Sequence, residues 1–112
     1  MEVIKKEQSQ VFNSGAITAH EYASKNKNIN LGLIEIKGRH PQQDFITNQE
    51  VTELVYILDG SVEVTTESNK YSLLPGDFVI ISPQEKYFFE GNCTVLTPCT
   101  PPWTLHQTEI IK

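Results

Sequence analysis

At 112 residues the chain has the length for one domain with one real core and no room for a second. Hydrophobic residues make up 38% and charged residues 21%, with no low-complexity run, a balance that excludes a disordered chain. The 14 acidic residues outweigh 9 basic ones to give a net charge of -5, and the only basic pair is Lys5-Lys6, so no nucleic acid is expected as a partner.

Along the chain, Met1 to Glu7 carries no apolar export segment, and no stretch approaches the roughly 18 apolar residues of a membrane span. A cytoplasmic location without membrane association is the expectation. Ala16 to Lys25 is the one stretch with a helical period, a weak one. Breakers at Asn13-Ser-Gly15, Gly38, Pro41, Gly60, Ser68-Asn69, Pro75-Gly76, Pro83, Gly91-Asn92 and Pro98 cut the rest into short β-rich runs. Those runs are Leu31 to Ile36, Leu54 to Leu58, Ser61 to Thr66, Phe78 to Ile81 and Tyr87 to Phe89. Short strands at such spacing predict an all-β sandwich or barrel.

Val62, Val64 and Thr66 alternate against Glu63, Thr65 and Glu67, the pattern of a half-exposed strand, and Tyr71 to Leu73 completes a hairpin after Ser68-Asn69. Leu54 to Leu58 and Phe78 to Ile81 are apolar on both faces, which predicts a covering layer or a second subunit outside the barrel, hence a homodimer. Cys93 and Cys99 would stand about 20 Å apart on an extended segment, too far for a disulfide, so they are read as reduced, partly buried thiols. The prolines of Pro98-Cys-Thr-Pro-Pro-Trp103 should stop a strand ladder and lay Trp103 on the barrel surface or on a partner.

Two segments carry more than composition. Glu53 and Gly60 bracket an apolar strand, and Leu74-Pro-Gly-Asp77 opens a second one that stops at Pro83. This spacing resembles the paired motifs of the cupin superfamily. Gly38, Glu53 and Gly60 fit the frame of the first motif, and Gly76, Asp77 and Pro83 that of the second. The first motif's two histidine positions fall at Ile46 and Asn48, or at Thr47 and Gln49; Tyr87 stands at the third, and Gln84 replaces the usual turn glycine. The resemblance covers about residues 38–89 and implies that residues 1–112 form one small cupin-like β-barrel, a double-stranded jelly roll.

Transition-metal sites need about three convergent N, O or S ligands. One carboxylate, an amide and a neutral phenol fall short, so neither a metal nor another cofactor is expected. His20, His40 and His106 lie off the motif and read as surface or hydrogen-bonded residues, with His40 the one able to swing toward the barrel mouth.

The resemblance implies that Glu53 points into the barrel near its open end, where a carboxylate without a metal must be hydrogen-bonded, paired or protonated. Tyr87 and Asn48 are its candidate donors. Period-two alternation puts Tyr87 and Phe89 on one face and Phe88 on the other, and aromatic walls suit sugar-like or planar ligands. The candidate binding residues are therefore Asn48, Glu53, Tyr87, Phe89 and His40, with Glu53 and Tyr87 the candidate catalytic pair. The expected function is metal-independent binding of a small polar or sugar-like metabolite. The alternative is an isomerase or epimerase using Glu53 with Tyr87, or a metal-dependent enzyme drawing on off-motif histidines.

Overall fold

A computed structural model of the protein describes residues 1–111. Nine strands follow one another: β1 (Gln10–Ser14), β2 (Ile17–Tyr22), β3 (Asn30–His40), β4 (Phe45–Asn48), β5 (Thr52–Thr66), β6 (Lys70–Leu73), β7 (Phe78–Ile81), β8 (Tyr87–Thr100) and β9 (Thr108–Ile111). They pair antiparallel throughout and curl into one jelly-roll sheet, with two 3-10 turns as the helical content among the described residues. No helix among these residues is long and apolar enough to cross a membrane. The all-β barrel read from the sequence is therefore the observed fold.

Strands β5 and β8 form the spine. They pair from Thr52/Thr100 to Thr66/Tyr87, with a bulge between Ile57 and Asp59 where the ribbon changes direction. Gly60 lies just past the bulge at φ 80°, a left-handed conformation that glycine adopts without strain. A Cβ there would strike the carbonyl oxygen of Asn92 and stand 2.8 Å from the Cβ-bearing carbon of Cys93. A Cβ at Gly91 would likewise strike the carbonyl oxygen of Ser61. Two missing side chains thus let the two strands cross tightly at the bend.

The bend gives each strand two territories. The first half of β5 pairs β7, and the second half pairs β6. Folded over, the ribbon encloses a core of Ile36, Ile46, Val55, Ile57, Val62, Val64, Ile81, Phe89 and Val95. Val55 and Ile57 are fully buried. Burial at about 25 cal/mol per Å² of apolar surface is the main force holding the curl closed.

Four expectations change. The stretch Ala16 to Lys25 forms no helix: Ile17–Tyr22 is strand β2, held between β1 and β3. Ladder bonds on both sides outweigh a weak helical preference. Leu54–Leu58 and Ser61–Thr66 join into the single strand β5, because Gly60 bends the chain without ending it. Gly91-Asn92 likewise does not break β8.

Nor does Pro98 stop the ladder. Pairing to β3 continues through Leu31/Pro98, while pairing to β5 skips from Leu96/Tyr56 to Cys99/Glu53. The interruption falls where proline has no N–H to give. Cys93 and Cys99 are both free and buried on β8.

Candidate functional site

The barrel opens at one end into a cavity of about 430 Å³. Period-two alternation selects its walls: Ile17, Ala19 and Glu21 from β2, Ile34 and Ile36 from β3, Glu53 and Val55 from β5, and Tyr87, Phe89, Val95, Thr97 and Cys99 from β8. Ile46 and Asn48 of β4 line it too, whereas their neighbours Thr47 and Gln49 do not. Of the two possible placements of the histidine positions, the chain therefore puts Ile46 and Asn48 inside.

Asn48 is the hub of the polar floor. Its Nδ2 donates to Glu53 Oε2 at 3.1 Å and to the Tyr87 hydroxyl at 3.4 Å. Its Oδ1 accepts from Thr108 Oγ1 at 2.8 Å, and that hydroxyl accepts from Trp103 Nε1 at 2.9 Å. The orientation of Asn48 is thus fixed from the far side by β9 and by the segment before it. All three partners that the sequence singled out meet here.

Glu53 is 8% exposed. Burial raises its carboxyl to about 7, the Asn48 hydrogen bond opposing the rise and the Glu21 carboxylate adding to it. Near neutrality the acid and its conjugate base coexist. Burial, then the nearby Glu53 carboxylate, holds the Tyr87 hydroxyl well above the ordinary phenol range. Tyr87 is accordingly a neutral hydrogen-bond donor. Its ring meets that of Phe89 edge-on, with centroids 5.2 Å apart.

His40, at the end of β3, also lines the cavity, and burial lowers its pKa so that the neutral imidazole is favoured. His20 alternates to the outer side of β2, between Ala19 and Glu21, and His106 is exposed in the turn Leu105–Gln107. The three histidines do not converge. No group of three or more His, Cys, Asp or Glu side chains among the described residues is placed to hold a metal ion. With an alkyl group at Ile46, an amide at Asn48 and an un-ionised phenol at Tyr87, the donor set does not fit the metal of the histidine-bearing motif.

Glu21, Thr97 and Trp103 are among the cavity residues that the sequence pattern did not mark. Glu21 fell in the stretch with the helical period, although Ile17-x-Ala19-x-Glu21 is also a strand alternation. Thr97 sits in an apolar-looking run. Trp103 lies not on the outer surface but against the cavity, with its backbone N–H donating to Asn30 Oδ1 at 3.1 Å. Phe88 faces away from the cavity, as alternation requires, beneath the Arg39 guanidinium at 3.8 Å.

Residues 44–101, just over half of the chain, match the family described as the EutQ-like cupin domain. No curated protein matches the sequence. Among solved structures, a variant of Streptomyces PAC13 with uridine superposes with a TM-score of 0.88 at 13% identity, covering 100% of this chain and 91% of that one. The same protein is described elsewhere as a unique nucleoside dehydratase. Ectoine synthase from P. lautus gives a TM-score of 0.79 at 16% identity, with 100% and 91% covered. KdgF from Halomonas sp. gives 0.71 at 15% identity, with 92% and 96% covered.

At such identities the likeness is one of fold. The family match takes in the end of the barrel where Glu53 and Tyr87 meet, and with the jelly-roll sheet around it the conclusion is direct: the chain belongs to the EutQ-like cupin domain family.

Proposed function

We propose that the barrel binds a small polar metabolite, without a metal, through Asn48, Glu53 and Tyr87. One observation carries this reading: Asn48 Nδ2 is shared between Glu53 and the Tyr87 hydroxyl at the floor of a mostly apolar cavity. A structural polar cluster would close on itself. This one leaves the Tyr87 proton and the second Glu53 oxygen for a visitor, and Phe89 and His40 supply the surrounding wall. Concave, mostly apolar pockets with a few convergent polar groups are the usual form of small-molecule sites.

Native mass spectrometry of protein purified gently from its host tests the reading. A small molecule held one per chain by the wild type, and absent from Asn48→Ala and Tyr87→Phe variants that still fold, is the expected result. A wild type that is empty, and whose melting temperature moves with no member of a nucleoside, sugar and amino-acid panel, would refute it.

A second reading rests on the Glu53 carboxyl standing near 7. A group balanced between acid and base suits proton transfer, and a fold neighbour is a dehydratase. In this reading Glu53 takes a proton from carbon beside a carbonyl group and returns it, while Tyr87 donates a hydrogen bond to the oxygen that gains charge. An isomerase or epimerase of this kind would wash solvent deuterium into its ligand, whereas a binding protein would not.

A further inference from the structure

The cavity that holds Glu53 has a second carboxylate, Glu21, in its wall. Glu21, Gly32 and Thr97 lie side by side on β2, β3 and β8. A Cβ at Gly32 would stand 2.6 Å from Thr97 Oγ1 and 3.1 Å from Glu21 Oε1. The missing side chain therefore lets the Thr97 hydroxyl and the Glu21 carboxylate pack side by side over Gly32. Thr97 is only 3% exposed and lines the cavity.

Charge decides what belongs there. Lys and Arg are absent from the residues lining the cavity; Glu21 and Glu53 are its carboxylates. Around Glu53 stand Asn48 from β4, Tyr87 and Cys99 from β8 and Glu21 from β2, and His40 of β3 lines the same space. None of these brings a fixed positive charge. Aromatic rings of Phe12, Tyr87, Phe89 and Trp103 complete the wall. Carboxylates beside aromatic faces, with no cation of the protein's own, form a surrounding that attracts an ammonium group and repels an anion.

We propose that the metabolite is an organic cation, a small amine whose ammonium group sits between Glu21 and Glu53 and whose apolar body packs on Phe12, Phe89 and Trp103. This rests on the reading of the barrel as a binding site and names the class of its ligand. The Thr97 hydroxyl, which can accept a hydrogen bond, orients the charged end. Because bound cation favours both carboxylates in their ionised form, burial of the free pocket opposes binding at low pH and releases it as the acids ionise. Affinity for an amine should therefore rise with pH until the amine itself loses its proton.

Three probes of one shape separate the outcomes: phenethylamine, 2-phenylethanol and phenylacetate. Each is titrated into the wild type by calorimetry and by the emission of Trp103, the chain's one tryptophan, which lines the cavity. At about pH 8, phenethylamine is expected to bind at least tenfold more tightly than the alcohol, roughly the worth of one well-placed charge pair, and phenylacetate not at all. Lowering the pH to about 6 should weaken the amine and leave the alcohol alone.

Glu21→Gln should remove most of the preference for the amine while retaining the alcohol. Gly32→Ala, whose Cβ would displace the Glu21 carboxylate and the Thr97 hydroxyl without altering charge, should weaken the amine as well. Equal affinity for amine and alcohol, or a preference for phenylacetate, overturns the cation assignment and leaves the binding site standing. If none of the three is bound by a folded wild type up to about 10 mM, the cation assignment is refuted, while the binding reading stands or falls on the nucleoside, sugar and amino-acid panel.

Discussion

The inner and outer faces of β5 differ in a way opposite to what hydrophobicity alone suggests. Glu53 faces inward with Val55 and Ile57 and is almost wholly buried, while on the other side of the same strand Tyr56 and Leu58 are 41% and 43% exposed. Phe78 and Ile80 on the neighbouring strand β7 extend that exposed apolar surface, and Phe78 pairs directly with Tyr56. A carboxylate inside and aromatic rings outside each oppose the tendency of water to sort residues by polarity. The inner departure supports a ligand. The outer one supports the expected second copy of the chain, since contiguous exposed apolar surface commonly marks an interface.

Breaking the inner face should cost most. Ile57→Ala leaves a cavity where no water enters, and a loss of about 3 kcal/mol in unfolding free energy is expected by urea denaturation. Its outward neighbour is the control, for Leu58→Ala should cost under about 1 kcal/mol in the monomer. Comparable losses at the two positions would mean that the faces are not distinct.

The next effect depends on pH. Because the Glu53 carboxyl is raised from 4.5 to about 7 on folding, the folded chain binds the proton more tightly than the unfolded one. Its stabilising contribution is complete below the unfolded value and fades as pH rises through the folded one. Wild-type stability should thus fall between about pH 4.5 and 7, by on the order of 2–3 kcal/mol for this group. Glu53→Gln should be the flatter variant and the more stable one above pH 7. Thermal melts across that range check it, and parallel curves would contradict it.

Asn48→Ala removes the shared donor from Glu53 and Tyr87 and the acceptor from Thr108, so about 2 kcal/mol should be lost. A smaller loss with unchanged ligand capture would show that the polar floor is not a unit. Least costly of all should be Phe78→Lys on the outer face. Folding stability of the isolated chain should move by less than about 1 kcal/mol, while light scattering should report the mass falling from two chains to one. A wild type that is already monomeric at micromolar concentration would leave the outer face unexplained by self-association.

The barrel was legible because its signals are local: the glycine and proline turns, the Glu53 to Gly60 spacing, and the strand Phe78–Ile81, which the structure reproduces. Asn48, Glu53 and Tyr87 could be named because motif spacing placed them together. Glu21 could not. Its contribution arises only when β2 is set beside β3 at Gly32, a pairing that no short stretch of sequence specifies. Trp103 was misplaced for a related reason, since its position depends on bonds to Asn30 and Thr108, one of them distant in the chain. Local pattern determines strands well and long-range register poorly.

The bend at Gly60 and Gly91 has a mechanical consequence. In the β5–β8 ladder, Glu53 lies opposite Cys99 and Tyr87 opposite Thr66, which on a straight ribbon would separate Glu53 and Tyr87 by roughly 40 Å. Curling brings both within reach of one amide. On the proposed reading, a molecule lodged between them would act as a clasp across the two ends of a spring. It must leave before the ribbon can straighten, so a saturating ligand lowers the frequency of opening as well as adding to stability by mass action.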